Sequence, residues 1–533
     1  MSRQHGAGTQ DRGREPPPKR RDPPPPPPPP RPASDRPPIP LVIAVVLTAI
    51  LEVLDITIVN VAMPHMLGAF GTTADQITWV LTSYIVAAAV VMPLTGYLSN
   101  WLGRRRLLLL SITGFILSSV ACGMAWNLES MVFFRLAQGV FGAPLVPLSQ
   151  AILLDAFPRE RHGQALAIFG LGIMVAPVIG PALGGYLTEA YSWRMVFYIN
   201  IPIGAVALLL SVGYLPQRAI KDIRTDWLGM GLLVVAVGAL QFVLDQGQMR
   251  DWFNSKVILV GAIVAVFTTV SFFLRGWNKP DNIIDLSLLR DRNFVAGTLA
   301  ITLYGISLFG VMALMPLYSQ RLLGYPADVA GTLFIPRGIV SAITLAITGG
   351  LLIRIFDARW LVASGLVLTA VGTLLMSHFN LYVDYWSIAT PNMVAGVGTG
   401  LFFVPLTAVA FASVASGKYD EASGIYSLMR GIGGSVGIAI VSSLFVRQAH
   451  IHFAELTAHI TPYNQNIVPY LADRGLTPLS PQAGSLIGHE IARQAQMLAF
   501  NDMFWFIGIV TLAITPVLFF MTRPKEVSLV PAH

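Results

Sequence analysis

The feature that most constrains this chain is a series of apolar stretches, each about as long as the ~20 residues needed to cross a bilayer. They lie at 40–62, 77–98, 106–126, 131–154, 163–187, 195–215, 227–245, 256–275, 295–319, 328–353, 360–379, 387–413, 422–446 and 503–522. Charged residues make up only 12% of the 533 residues, whereas soluble domains contain about 25%. The sequence therefore predicts an all-α polytopic membrane protein with about fourteen transmembrane helices.

The net charge of +7 lies mostly in the N-terminal tail and in loops, where basic residues set membrane orientation instead of binding nucleic acid. The first two loops on one side, 63–76 and 127–130, contain no Lys or Arg, whereas Arg104, Arg105 and Arg106 lie in the loop between them. This bias predicts that both termini are cytoplasmic. Cys122 is the only cysteine, so an intramolecular disulfide and a paired-cysteine metal site are excluded.

The chain outside the apolar stretches predicts the domain organisation. Residues 1–38 are rich in Pro and Arg and are expected to form a disordered cytoplasmic tail, with a ligand for a proline-recognising partner as the alternative. Residues 527–533 are expected to form a second cytoplasmic tail. The segment 447–502 is expected to be an extracytoplasmic loop with amphipathic helices. Such a loop either docks a partner or covers the cavity.

A short internal repeat indicates how the spans are grouped. The residues Thr95-Gly96, Leu98, Arg106 and Leu108 recur at one offset as Thr348-Gly349, Leu351, Arg359 and Leu361. Both copies follow a span that enters the cytoplasm, which favours a parallel repeat. We therefore expect two six-helix bundles, 39–216 and 281–526, with two inserted helices within 217–280.

Three charged residues of the first half lie within spans, where each costs about 2.5–3.5 kcal/mol to insert and is a functional candidate by default. Glu52 and Asp55 share one helix face. At ~1.5 Å per residue, Asp55 lies ~22 Å from one edge of the membrane and Arg135 ~6 Å from the other. Because these depths match, we expect Asp55 to face Arg135, either as a permanent ion pair or in proton coupling.

Glu52 is the stronger candidate for a proton carrier. It lies deeper than Asp55, and no cation is evident at its depth in the sequence. A carboxyl group removed from water takes up a proton more readily than one in solution.

Two arginines of the second half are expected near the midplane, where transporter sites usually lie. Arg337 lies ~14 Å and Arg430 ~12 Å into their spans at helical rise. They either attract an anionic or weakly acidic substrate or stabilise broken helix ends. The other expected cavity residues carry side chains that suit varied hydrophobic cargo: Tyr84, Gln138, Gln150, Tyr304, Met312 and Met315.

The apolar stretch 170–186 is unusually rich in glycine and proline. In a soluble helix each interior Gly costs roughly 1 kcal/mol and each Pro roughly 3 kcal/mol. In a bilayer the helix persists, because no water competes for the backbone and small residues let neighbouring helices approach. Its key positions are Gly180, Pro181, Gly184 and Gly185.

The Gly-Pro pattern and several further motifs together resemble the fourteen-helix drug–proton antiporters of the major facilitator superfamily, of the EmrB type. The further motifs lie at 54–64 (LDITIVNVAMP), 135–139 (RLAQG), 193–204, 244–247 (LDQG), 285–288 and 501–506. The resemblance implies the major facilitator fold and proton-driven export of hydrophobic or amphiphilic toxic compounds across a bacterial inner membrane. It also implies a periplasmic membrane-fusion adaptor and an outer-membrane channel as partners.

One motif departs from the family pattern G-x-L-x-D-R-x-G-R-K/R, which follows the second helix. Here Asn100 stands where the family aspartate usually helps to close the cytoplasmic gate, between Gly96 and the pair Gly103-Arg104. A charged latch at that position is therefore in doubt, and membrane orientation alone accounts for the arginines.

Other classes of function are less consistent with the sequence. It has no phosphate-binding loop, HExxH motif or paired-cysteine site, so we expect neither an enzyme nor a bound cofactor or metal. A proton-coupled symporter or an exporter for a specific organic acid or metabolite shares the fold, and fold alone does not decide between them. The Gly-Pro motif, the extra helix pair and the long outer loop favour export.

Overall fold

The computed structural model describes residues 37–217, 225–277, 279, 282–460, 467–472, 476–477 and 480–521. In this part of the chain, fourteen helices are long and apolar enough to cross a membrane, as predicted. They are α1 (Ile39–Phe70), α2 (Asp75–Leu102), α3 (Arg104–Gly123), α4 (Leu128–Ala156), α5 (Arg159–Ala190), α6 (Met195–Tyr214), α7 (Trp227–Gln246), α8 (Lys256–Gly276), α9 (Arg292–Leu322), α10 (Val329–Ile355), α11 (Ala358–Met376), α12 (Tyr385–Phe411), α13 (Tyr419–Ala458) and α14 (Pro481–Phe520). The predicted terminal tails lie outside the described residues, except for residues 37–38.

The same helix pairings occur in α1–α6 and in α9–α14. In the first set α1 packs on α5 and α6, α2 on α4, and α3 on α4 and α6. In the second set α9 packs on α13 and α14, α10 on α12, and α11 on α12 and α14. The two sets are therefore the six-helix bundles that the short repeat predicts. Small residues allow the close crossings: a Cβ on Gly365 of α11 would lie 2.7 Å from the carbonyl oxygen of Gly398 on α12.

The inserted helices α7 and α8 pack on each other as a pair. Helix α7 contacts α2 of the first bundle and α13 of the second. In α8 only 22% of the apolar window is buried, so most of its surface is left to lipid.

Helix α4 is broken between Gly142 and Leu145. Pro144 and Pro147 lie at this break and cannot donate backbone hydrogen bonds, which is a common cause of helix kinks. The backbone N–H of Val146, in the first turn of the second half of α4, is thereby available to a side chain in the interior of the bundle.

Helices α13 and α14 extend well beyond the apolar stretches from which they were predicted. The 40 residues of α13 are ~60 Å long at ~1.5 Å per residue, twice the ~30 Å hydrocarbon core. The ends of the two helices pack together, with His452 Nε2 2.7 Å from Asp502 Oδ2 and the rings of Phe445 and Phe500 4.5 Å apart. Much of the loop predicted at 447–502 is thus helical and continuous with α13 and α14. Its residues 461–466, 473–475 and 478–479 lie outside the described residues.

Candidate functional site

Asp55 of α1 and Arg135 of α4 form an ion pair inside the first bundle, as their matching depths predict. Arg135 Nη1 lies 2.5 Å from Asp55 Oδ2, and both side chains are fully buried. Arg135 Nε also donates to the carbonyl oxygen of Val80 on α2, at 3.0 Å. The pair therefore connects three helices.

Amide side chains complete the hydrogen bonding of the Asp55 carboxylate. Gln138 Nε2 and Asn200 Nδ2 each donate to Asp55 Oδ1 at 2.9 Å. Asn200 also donates to Ser119 Oγ at 3.0 Å, which brings α6 and α3 into the same network. The ring of Tyr84 lies 4.3 Å below the Arg135 guanidinium. The Asp55 carboxylate thus has one charged and two neutral donors, from Arg135, Gln138 and Asn200.

Two residues expected in the cavity, Tyr84 and Gln138, belong to this network instead. Asn200 was missed as a network member, although it lies in the 193–204 motif. Its distance of 145 residues from Asp55 along the chain gives no local signal of the contact.

Glu52 lies one turn from Asp55 on α1 and has different surroundings. It is 4% exposed, and its Oε2 accepts a hydrogen bond of 3.0 Å from the backbone N–H of Val146. That N–H belongs to the first turn of the second half of α4, where the helix dipole stabilises negative charge. Across the boundary between the bundles, the charge of Arg430 acts on Glu52. This cross-bundle cation was not evident in the sequence.

A cavity lies between the two bundles. The empty space inside it amounts to about 1020 Å³, including the part open to solvent. Helices α1 and α5 supply one wall and α9, α10, α12 and α13 the others. Its lining is mostly apolar: Val53, Ile56, Thr57, Ile173, Met174, Pro177, Ile301, Tyr304, Gly305, Leu308, Phe309, Met312, Phe334, Arg337, Gly338, Ser341, Phe403 and Arg430.

Arg337 and Arg430 are the charged residues of this lining. Within the described part of the chain, neither of them forms an ion pair with a carboxylate. Arg337 is 8% exposed, and its Nη1 atom has no hydrogen-bond partner among those residues. Leaving a buried charge without a partner is costly, so these side chains are suited to a ligand that carries acceptor groups.

The remaining predicted cavity residues divide into two groups. Tyr304 and Met312 line the cavity, and the Tyr304 ring stacks on Phe402 at 4.0 Å. Met315 and Gln150 are buried elsewhere, in the packing of the bundles. The lining from α5, including Met174 and Pro177, was missed, although it lies within the glycine-proline stretch.

The glycine-proline motif sets how closely α5 packs against its neighbours. A Cβ on Gly180 would lie 3.0 Å from Thr57 Cβ, and one on Gly184 would lie 2.9 Å from the carbonyl oxygen of Ile58. Both contacts are with α1. Gly185 is less crowded, with Val61 3.9 Å away from an added Cβ. On another side of α5, Pro181 lies near Gly331, at the start of α10.

An ion-pair cluster joins the bundles at one end of the molecule. Arg104 Nε donates to Asp420 Oδ2 at 3.0 Å, and Arg104 Nη1 lies 2.5 Å from Asp155 Oδ2. Asn100 Nδ2 donates to Glu421 Oε1 at 2.8 Å. We call Arg104, Asp420, Asn100 and Glu421 the latch, and the end of the molecule where they lie the latch end.

The latch corrects an expectation from the sequence. A charged latch was in doubt because Asn100 replaces an aspartate, and orientation alone was thought to account for the arginines. In the structure the second bundle supplies the carboxylate, from Asp420, and Arg104 is 7% exposed. Gly103 precedes Arg104 with a φ of 84°, a backbone conformation that glycine adopts without strain. Gly96 allows α13 to approach, since its Cβ would lie 2.6 Å from Glu421 Cα.

Comparisons with known proteins agree with this architecture. Residues 45–438 match the Major Facilitator Superfamily. The chain is 35% identical to the multidrug export protein EmrB of Escherichia coli (strain K12) over 490 residues, 91% of this chain and 95% of that protein. It is 34% identical to the fatty acid resistance protein FarB of Neisseria gonorrhoeae, over 90% of this chain and 95% of that protein.

A solved structure has the same fold. The human organic anion transporter MFSD10 (TETRAN) superposes with a TM-score of 0.59, covering 89% of this chain and 99% of that one, at 17% identity. At this identity the likeness concerns the fold alone. The sequence matches, the paired six-helix bundles and the fourteen membrane helices lead to one conclusion: the chain is a multi-pass membrane protein of the Major Facilitator Superfamily and belongs with its EmrB-type multidrug export proteins.

Proposed function

We propose that this protein is a proton-driven antiporter that exports hydrophobic or amphiphilic toxic compounds across the inner membrane. The observation that carries the proposal is the apolar cavity between the bundles, together with the buried carboxyl group of Glu52 on α1, the helix that supplies part of the cavity wall. The relatives named for multidrug export and fatty acid resistance support the same class of cargo.

The cavity suits amphiphilic cargo because it combines a large apolar surface with a few polar groups. Met174 and Met312 offer flexible, polarisable contacts that adapt to different shapes. Thr57, Tyr304 and Ser341 supply hydroxyl groups that orient a polar substituent.

Glu52 is the proposed proton carrier, whereas Asp55 and Arg135 hold the bundle in shape. The Asp55 carboxylate has fixed donors in the described structure, but Glu52 has one backbone donor and a more distant cation. Its protonation therefore breaks fewer interactions. One proton moving down a gradient of one pH unit supplies about 1.4 kcal/mol, and 100 mV of membrane potential adds about 2.3 kcal/mol.

We propose a cytoplasmic position for the latch end and for both termini, from the distribution of basic residues in the loops. The projecting ends of α13 and α14 then lie outside the inner membrane. Partners of a three-component export system, a periplasmic membrane-fusion adaptor and an outer-membrane channel, belong to the same proposal.

The test uses the purified protein in lipid vesicles with an imposed pH gradient. Uptake of cationic, neutral and anionic amphiphiles is followed with and without an uncoupler. We expect movement of substrate against protons that the uncoupler abolishes. The Glu52→Gln variant is expected to bind substrate but to lose the response to the gradient.

The matched control is Glu189→Gln, which removes an exposed carboxylate at the end of α5. It is expected to transport like the unmodified protein. Full gradient-driven transport by Glu52→Gln would exclude Glu52 as the carrier, and transport that ignores the gradient would exclude antiport.

The two cavity arginines favour a second candidate, transport of a specific organic acid. An anionic group beside Arg430 is repelled by a charged Glu52 and accepted by a neutral one, so anion and proton binding favour each other. A cationic group binds better when Glu52 is charged, so it competes with the proton. The vesicle panel separates the two candidates, because cotransport of anions with protons supports the second and exchange for protons supports the first.

A further inference from the structure

The inserted helix α7 lies along one boundary between the bundles, where α2 and α13 face each other. We call this boundary the seam. Helix α7 and Thr225, which lies just before it, contact α2 over most of its length: Tyr97 with Thr225, Val90 with Gly238, Trp79 with Phe242, and Thr82 with Asp245 and Gln246. The inserted pair is therefore attached to the first bundle along a whole helix.

The attachment of α7 to α13 is narrower and depends on a few neutral polar groups. Gln241 Nε2 donates to Ser435 Oγ at 2.7 Å. In the turn after α7, Trp252 Nε1 donates to Ser443 Oγ at 2.9 Å, and Ser443 Oγ donates to Gln248 Oε1 at 2.5 Å. We call these three hydrogen bonds the seam bonds.

The seam bonds lie away from the latch. At ~1.5 Å per residue, Ser435 and Ser443 lie ~24 and ~36 Å along α13 from Tyr419, which is at the latch end. There α2 and α13 touch directly, since a Cβ on Gly424 would lie 2.9 Å from the carbonyl oxygen of Met92. In the other half of the seam, α7 carries the polar contacts to both helices.

Alternating access in this class of fold is largely a rocking of one bundle against the other. Opening the latch end and closing the opposite end moves α13 relative to α2. Helix α7 contacts α2 over most of the length of α2, but among the described residues the seam bonds reach α13 at two residues, Ser435 and Ser443. This motion therefore leaves the contacts with α2 intact and breaks the seam bonds to α13.

We propose that the inserted helix pair is a detachable strap: the seam bonds stabilise the latch-closed conformation and break when the bundles rock. Together with the latch, the strap then sets the ratio of latch-open to latch-closed molecules. Neutral hydrogen bonds suit this role because each contributes only about 0.5–1.5 kcal/mol, so their loss is readily reversed. The strap is independent of the cargo and of the ion that drives transport.

The experiment measures distances between spin labels in full-length protein in lipid nanodiscs, without substrate or gradient. One label pair, at Arg106 and Ala415, reports on the latch end, and a second pair, at Asp75 and His450, reports on the opposite end. All four side chains are exposed. The native Cys122 is replaced by alanine in every sample, so that only the engineered cysteines are labelled.

The double variant Ser435→Ala with Ser443→Ala removes all three seam bonds. We expect the ratio of latch-open to latch-closed molecules to rise by about fivefold or more, as the loss of at least about 1 kcal/mol implies. The double variant Gln241→Ala with Gln248→Ala removes two of the three seam bonds from the side of the strap and leaves the bond from Trp252 to Ser443. It is expected to produce a shift in the same direction, which guards against a folding defect specific to the serines.

The matched control is Ser442→Ala, which removes a neighbouring hydroxyl of α13 and is expected to leave both distance distributions unchanged. Unchanged distributions in both double variants would overturn the proposal. An equal shift in the control would overturn it as well, because the effect would then come from α13 and not from the strap. Since neither label pair reports on transport, failure of the proposed antiport leaves this test intact.

Discussion

The two bundles differ in whether their buried charged side chains have ion-pair partners. In the first bundle, Asp55 and Arg135 form a buried ion pair that two amide side chains complete. In the second bundle, Arg337 and Arg430 line the cavity without an ion-pair partner among the described residues. The same kind of side chain thus holds helices together on one side and faces the cavity on the other.

This difference separates structural charges from candidate binding charges. In the buried pair the Asp55 carboxylate neutralises the Arg135 charge, although Arg135 Nη2 has no hydrogen-bond partner among the described residues. Removing one member of the pair leaves an uncompensated charge. A buried arginine without a partner destabilises the fold, and an acceptor on a ligand offsets part of that cost. Substitutions of Asp55 or Arg135 should therefore change the stability of the protein, whereas substitutions of Arg337 or Arg430 should change ligand binding.

The largest effect is expected from breaking the Asp55–Arg135 pair. Asp55→Ala should lower the free energy of unfolding by about 3–5 kcal/mol, since it leaves Arg135 charged and buried. Thermal unfolding in detergent measures the change. The matched control is the double variant Asp55→Ala with Arg135→Leu, which should recover much of the loss. If the double variant were as unstable as the single one, the ion pair would not be the cause.

A smaller effect, of a different kind, is expected from Arg337→Met. Stability should change by less than about 1 kcal/mol or increase, because the variant removes a buried charge without a partner. The Kd of an anionic amphiphile should rise about tenfold or more, as the loss of a charged hydrogen bond of about 1.5–3 kcal/mol implies, while a neutral analogue binds unchanged. Arg321→Met, at an exposed position, is the control. Equal losses for anionic and neutral ligands would place Arg337 with the structural charges.

The smallest effect is expected next to α7, where Asp226 is buried but its ion-pair partners Arg275 and Lys279 are partly exposed to water. Hydrogen bonds from Arg275, which lies 2.6 Å from Asp226, hold the pKa of Asp226 well below its ordinary value. A lowered pKa adds stability above the unfolded value of about 3.9, and this stability is lost as the pH falls below it.

Asp226→Asn should therefore lower the Tm slightly at pH 7, by an amount that corresponds to roughly 1 kcal/mol or less. The difference from the unmodified protein should begin to shrink as the pH falls below about 4, because Asp226 then takes up a proton in the unfolded chain while it stays charged in the folded one. Melting curves recorded above and below this pH measure it. A difference that stays constant with pH would mean that the charge of Asp226 contributes nothing.

Hydropathy was sufficient to locate the fourteen spans, because a bilayer imposes the length and composition of each segment. It failed at the ends of α13 and α14, whose extensions carry polar residues such as His452 and Asp502. A helix outside the lipid needs no continuous apolar stretch. The amphipathic helices expected within 447–502 continue α13 and α14 and do not lie in a separate loop.

The candidate site was predictable only where depth along a helix was informative. The matching depths of Asp55 and Arg135 predicted their pairing. The midplane positions predicted for Arg337 and Arg430 agree with their place in the cavity wall. The contact of Asp420 with Arg104 and the electrostatic effect of Arg430 on Glu52 were missed, because they join different bundles. Such interactions depend on how the bundles are docked, which neither hydropathy nor local spacing encodes.

The length of α13 has a mechanical consequence. Its inner part forms the seam, while its far end lies beyond the bilayer, so one continuous helix of 40 residues acts as a lever. If it tilts by ~10° about its middle, the end ~30 Å away moves by ~5 Å. A small movement of α13 at the centre of the membrane therefore produces a larger movement at its far end, which packs against α14.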